Sequence, residues 1–227
     1  MNKNIINKHP TNEMLINYAM GNSDEAEALI IAAHIAYCKD CKKDVLEYEK
    51  LAGDFLFEQE TLEVSPDLFP KILDNIDDIE QSGETINYVD TKINSSLSPT
   101  GIRIPSFVSK YLDAKFDTND WKTTINNVRY SDLSFKDNNF KGKFLEIPPG
   151  KSMPKHGHEG YEATLVIHGG YSDESGHYNK GDLVIANDEQ VHSPVASIEK
   201  GCLCLVVYSG SIKFKGLLGS ILNLSKF

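Results

Sequence analysis

Gly150-Lys151-Ser152-Met153-Pro154-Lys155-His156-Gly157-His158-Glu159-Gly160-Tyr161-Glu162 is the stretch that decides how the C-terminal part of this chain folds. His156 and His158 are two residues apart, so on an extended strand both point to one face. Glu162 follows after a turn, and His192 comes from a distant segment. Three imidazoles and one carboxylate converging inside a barrel make an N3O ligand set. Such a set suits Zn2+, Fe2+, Mn2+, Ni2+ or Cu2+ and does not choose sharply among them.

The sequence around this stretch has the matching pattern. After Pro105 it breaks into short alternating segments rich in Val, Ile, Phe, Tyr and Thr: Lys143–Ile147, Glu162–Ile167, Asp182–Ile185 and Cys202–Tyr208. Turns are expected at Pro148-Pro149-Gly150, Gly169-Gly170 and Lys180-Gly181. This reads as an all-β sandwich or barrel. The tail, 212–227, is expected to pack on the barrel as a short amphipathic helix or strand.

Upstream the periodicity is helical. Residues 10–20 form a short helix with Thr11 as N-cap, closed by Gly21. Ser23 caps a second helix, with Asp24, Glu25 and Glu27 where the helix dipole favours negative charge. It is expected to run through His34 to Cys38 and on towards Cys41. A third helix covers about 42–57. Ser65-Pro66 opens a fourth amphipathic stretch carrying Leu68, Phe69, Ile72, Leu73 and Ile76. Residues 81–104 lose periodicity and read as a linker.

His34, Cys38 and Cys41 fall at i, i+4 and i+7, on one helix face. His9 from the preceding segment completes a His2Cys2 set. Two thiolates and two neutral imidazoles suit tetrahedral Zn2+ with no open position, which is a structural site. A metal staple matters most in a small helical body with a limited core.

The net charge of −10 is unevenly spread. Residues 1–92 hold 8 Lys, no Arg and 19 acidic residues, a net of −11; residues 93–227 hold 15 basic and 14 acidic residues, a net of +1. An acidic body repels nucleic acid and attracts basic protein surfaces, so direct DNA binding is not expected. No window approaches a transmembrane span, and residues 1–12 lack an apolar signal region; a cytoplasmic location is expected. In a reducing compartment the close pairs Cys38/Cys41 and Cys202/Cys204 suggest metal or redox chemistry more than structural disulfides.

Gly150-x5-His156-x-His158-x3-Glu162-x6-Gly169 resembles the first cupin motif. The second motif is matched in Gly181 and His192, but Asn187, Glu189 and Ala196 replace the residues usual there. Together with His9, His34, Cys38 and Cys41, and an opening His9-Pro10-Thr11-Asn12-Glu13, the chain resembles ChrR-type anti-sigma factors along its length. The resemblance implies an α + β, two-domain protein. A zinc-binding helical anti-sigma domain spans 1–80, a linker 81–104 and a cupin (jelly-roll β-barrel) sensor domain 105–227. It implies Zn2+ on His9, His34, Cys38 and Cys41, and Zn2+ or another divalent transition metal on His156, His158, Glu162 and His192. Cys202 and Cys204 sit where the family tends to have a Cys-x-Cys pair, and they are a candidate redox pair. The implied partner is an extracytoplasmic-function (ECF) sigma factor, held inactive and released on an oxidative signal such as singlet oxygen or an organic peroxide. The alternative is a metal-dependent cupin enzyme, a dioxygenase or isomerase, with a helical accessory domain.

Overall fold

The computed structural model describes residues 6–76, 98–102, 104, 108, 121–136, 139–186 and 190–215. Most of the expected linker, the motif positions Asn187 and Glu189, and the tail beyond 215 lie outside the described residues.

Four helices come first: α1 (Asn12–Ala19), α2 (Glu25–Ile35), α3 (Lys39–Phe57) and α4 (Leu68–Ile76). Thr11 caps α1, its Oγ1 accepting from the Met14 amide at 3.3 Å, and Gly21, at φ 72°, closes the turn behind it. The N-cap of α2 falls on Asp24, one residue after the expected Ser23.

The larger correction concerns the ligand-bearing helix. It does not run from His34 through Cys41. The Tyr37 and Cys38 amides both donate to the His34 carbonyl at 2.9 Å, ending α2 in a tight turn. Cys38 is extended (φ −98°, ψ 108°) and caps α3, its Sγ accepting from the Cys41 amide. The physical reason is reach. On a straight helix, residues seven apart rise about 10.5 Å along the axis, too far for one ion. The break between α2 and α3 brings Cys41 back beside His34.

Eleven strands follow among the described residues: β1 (Lys122–Thr123), β2 (Arg129–Leu133), β3 (Lys141–Ile147), β4 (His156–Glu159), β5 (Glu162–Asp173), β6 (Gly176–Asn179), β7 (Leu183–Ala186), β8 (Val191–His192), β9 (Val195–Ala196), β10 (Cys202–Tyr208) and β11 (Ser211–Phe214). All pairings are antiparallel. The large sheet runs β1-β2-β3-β10-β5-β6, with β7 and β9 also paired to β5; the small sheet is β11-β4-β8. Together they form the cupin barrel. Gly169-Gly170 is not the expected turn. It is a kink inside β5, where the strand leaves β10 and β7 and goes on to pair with β6 and β9. Gly169 adopts φ 66°, and a Cβ there would collide with the Gly201 carbonyl.

The central strands of the large sheet are covered on both faces. Phe144, Leu165, Leu203, Leu205 and Val207 face the helices, in one apolar cluster with Leu15, Leu29, Ile30 and Ile31. Val166, Cys202, Cys204 and Val206 face the barrel interior with Ile147, Met153 and Tyr171. This explains why β10 reads Cys-Leu-Cys-Leu-Val-Val-Tyr without a polar alternation: all seven residues are buried. Each fully buried Leu or Ile contributes about 1.5–3 kcal/mol, so α2 is held firmly on the sheet it packs against.

Candidate metal centres and an uncovered apolar face

Among the described residues, two groups of side chains converge with ligand atoms within 4.8 Å of one another: His9, His34, Cys38 and Cys41, and His156, His158 and His192.

The first group gathers at the α2–α3 junction. His9 Nδ1 lies 3.5 Å from Cys38 Sγ and 3.3 Å from Cys41 Sγ, and His34 Nε2 lies 3.4 Å from Cys41 Sγ. Zn–S of about 2.3 Å and Zn–N of about 2.0–2.1 Å at tetrahedral angles give S···N edges of about 3.5 Å, so the donor set fits that ion. His34 Nδ1 lies 2.9 Å from the Gly181 carbonyl oxygen. A carbonyl only accepts, so the proton sits on Nδ1 and the Nε2 lone pair faces the thiols. Burial lowers the His34 pKa to about 4, which keeps the ring neutral as a ligand must be. Burial, with the neighbouring Cys38, pushes the Cys41 thiol up to about 12. A bound cation would reverse that cost by coordinating the thiolate.

The second group lies inside the barrel. β4 supplies His156 and His158 on one face, and β8 sets His192 opposite His156 in register. His192 Nε2 is 3.1 Å from both His156 Nε2 and His158 Nε2. Each ring uses its other nitrogen outward: His156 Nδ1 to the Pro154 carbonyl at 2.8 Å, His158 Nδ1 to Glu162 at 3.1 Å, His192 Nδ1 to Asp173 at 2.9 Å. These partners accept, so each ring proton is placed on Nδ1, and three Nε2 lone pairs face one another. That arrangement repels itself unless a cation sits among the rings, and it is the outer support usual for metal-bound imidazole.

Glu162 is buried, with Oε1 accepting from Thr164 Oγ1 at 3.1 Å and Oε2 against His158. Burial alone would raise its pKa, but the His158 hydrogen bond and the surrounding imidazoles bring it below the usual range. A mainly apolar cavity of about 50 Å3 opens beside His156, Glu162 and His192, walled by Leu145, Met153 and Val206.

Cys202 and Cys204 lie on the interior face of β10 with their sulfurs 3.3 Å apart. Both are free and buried. The hydrogen bond to Cys202, together with burial, raises the Cys204 pKa well above that of an ordinary thiol.

Sequence reasoning missed several supporting residues. Asp173 holds His192. Asp182, fully buried, accepts from the amides of Asn7 at 2.6 Å, Lys8 at 3.0 Å and Asn179 at 2.7 Å. It pins the segment leading to His9 onto the barrel, and Leu183 donates back to the Lys8 carbonyl at 3.0 Å. The available signal was an acidic residue opening an apolar strand, Asp182 before Leu183-Val184-Ile185.

The far half of α3 and all of α4 present apolar side chains to solvent. Phe57 is 95% exposed and Phe69 68%, and Phe55, Leu56, Leu62, Ile72 and Leu73 are also exposed. No residue of α4 is buried. Exposed apolar side chains in this number are candidates for an interaction surface. No helix among the described residues is long and apolar enough to cross a membrane.

Residues 112–211 match the family described as the ChrR cupin-like domain. Over 218 residues, 96% of this chain and 97% of the relative, the sequence is 26% identical to the anti-sigma-E factor ChrR of Cereibacter sphaeroides. The fold matches a chain in the crystal structure of Rhodobacter sphaeroides SigE in complex with the anti-sigma ChrR. The TM-score is 0.71 at 25% identity, covering 90% of this chain and 100% of that one.

Proposed function

We propose that this chain, whose residues 112–211 carry a ChrR cupin-like domain and which is similar to ChrR along nearly its whole length, is an anti-sigma factor. Its helical part, 1–80, binds an ECF-type sigma factor in the cytoplasm and holds it inactive. Its cupin part, joined through 81–104 and spanning 105–227, governs release on an oxidative signal of the singlet-oxygen or organic-peroxide class. The observation that carries this reading is the uncovered apolar face of α3 and α4. An acidic surround, −11 over residues 1–92, suits a basic helical partner and speeds its encounter. The test is co-purification of the full chain with each ECF sigma factor of its own genome; a complex with none of them removes the proposal.

In this reading His9, His34, Cys38 and Cys41 hold Zn2+, which supplies a fixed node between the N-terminal segment, α2 and α3. His156, His158 and His192, with Glu162 as the fourth ligand expected from the sequence, hold Zn2+ or another divalent transition metal. Strands β5 and β10 favour a route for the signal. One face of each lines the cavity and the other packs against α2, so a change in the barrel bears directly on the helical layer. Oxidation of the Cys202/Cys204 pair by a hydroperoxide would form one disulfide, giving an alcohol and water as the two thiols lose their hydrogens. The raised pKa of Cys204 makes that thiol a slow nucleophile, and mass analysis after peroxide treatment tests the step.

A second reading, a metal-dependent cupin dioxygenase or isomerase, is favoured by the cavity opening onto the imidazole cluster. Substrate-dependent turnover by the metal-loaded chain would establish it.

A further inference from the structure

Met153 ties together the two segments that bring the imidazoles into the barrel. Its amide donates to the Pro194 carbonyl at 2.9 Å, and its carbonyl accepts from Ser193 Oγ at 3.0 Å; both partners directly follow His192. On its other side the Pro154 carbonyl accepts from His156 Nδ1 at 2.8 Å. The Met153 side chain is 3% exposed and belongs to the interior cluster with Ile147, Tyr171 and Val206. It also lines the cavity of about 50 Å3 that His156 and His192 share. A side chain sealed in a core meets only its neighbours, but one that walls a cavity meets whatever enters it. The other sulfur lining that space is Cys204. The hydrogen bond to Cys202 and burial raise the Cys204 pKa, and a thiol reacts chiefly as its thiolate. A thioether has no proton to lose, so apolar surroundings leave its lone pair available. Of the two sulfurs, Met153 is the one whose reactivity does not depend on ionisation.

We propose that Met153 is an oxidation site of the barrel, converted to its sulfoxide by a small hydroperoxide that enters the cavity. The O–O bond breaks as the S–O bond forms. The sulfur gives up two electrons, and the hydroperoxide's proton passes to the departing alkoxide, which leaves as an alcohol. The size of the oxidant follows from the space. About 50 Å3, at roughly 10–15 Å3 for each water-sized group, admits about four such groups, the scale of ethyl hydroperoxide. The product is a polar acceptor set among Ile147 and Val206, where an unpaired polar atom is costly. Relief requires the Met153 segment to move away from Ser193 and Pro194, carrying the Pro154 carbonyl from His156 and loosening the imidazole cluster. Sulfoxide reductases restore the thioether, so the mark is reversible. The site deepens the oxidative release proposed above and rests on that reading for its purpose, not for its chemistry.

The test is a time course of the full chain with ethyl hydroperoxide, read peptide by peptide as sulfoxide fraction by mass spectrometry. Each methionine's rate is divided by its own rate in the urea-unfolded chain. Met14 is the internal control. At 8% it is more exposed than Met153, but it packs in the helix-facing cluster and does not line this cavity. Burial alone would have Met14 oxidised before Met153. The cavity predicts the reverse, with Met20, 47% exposed, ahead of both. Val206→Phe, which fills the cavity, should bring Met153 down to the Met14 rate. Met153→Leu keeps the volume nearly unchanged and lacks the sulfur. Peroxide should therefore lower the urea midpoint of the wild-type chain more than that of the Met153→Leu chain. A Met153 oxidised no faster than Met14 in the wild-type chain, or a midpoint that falls equally in both chains, overturns the inference. No sigma factor enters the experiment, so its failure is distinct from failure of the partner reading.

Discussion

His34 and Gly181 are joined by a hydrogen bond from Nδ1 to the carbonyl oxygen at 2.9 Å. One partner belongs to the N-terminal ligand set and the other to the turn between β6 and β7. The barrel thus buttresses from outside the group His9, His34, Cys38 and Cys41, which could hold a metal ion. Asp182, next in the chain, fastens the segment that carries His9.

Asp182→Ala should therefore loosen the N-terminal site from a distance. Three backbone amides would lose a buried acceptor, each costing about 1–3 kcal/mol. Denaturant unfolding should show a loss of roughly 2–5 kcal/mol, and a chelator competition should show weaker zinc retention. Unchanged zinc retention would mean that the two halves are not coupled through this turn.

Asp173→Ala should act on the other site alone. Freed from its carboxylate, His192 loses a fixed ring orientation, and the barrel's metal affinity should fall about 10- to 100-fold. The ion on His9, His34, Cys38 and Cys41 should remain, as measured by metal content per chain. Equal loss at both sites would point to general unfolding.

Cys38→Ser and Cys41→Ser should each remove the N-terminal ion. Cys38 is both a ligand candidate and the cap of α3, and serine can still cap that helix. Metal analysis should therefore show the loss of the ion while the cap of α3 is kept. A chain that keeps the ion in either variant would contradict the ligand assignment.

Acid should destabilise the metal-stripped chain. Burial holds His34 and His156 at about 4, against 6.5 for a free imidazole. The unfolded chain then binds protons that the folded chain refuses. Stability from these groups is full above pH 6.5 and lost as pH falls towards 4. Urea midpoints measured across that window should drop steadily; a flat profile would contradict the burial of these rings.

Much of this was legible in the sequence because period and spacing carry it. His156 and His158 share a face because strands alternate, and the Thr11 cap marks the start of α1. The α2–α3 break was not legible. His34, Cys38 and Cys41 match a helical face as well as they match a junction, and only the reach of one ion separates the two. The shared core was hidden for a related reason. β10 lacks polar alternation, which says that both faces are covered but not by what.

Phe69→Asp and Leu73→Asp should separate binding from folding. Both side chains are exposed, at 68% and 47%, so the unfolding midpoint should move little. Each should weaken the sigma complex by about 2–4 kcal/mol if it sits centrally in the interface.

The most direct measurement is promoter-directed transcription in vitro by core polymerase with the cognate ECF sigma factor, titrated with the full chain. One equivalent should silence transcription, the Phe69→Asp chain should not, and an organic hydroperoxide should relieve the wild-type block. Transcription that continues at saturating chain, from every ECF sigma factor of the genome, would contradict the account.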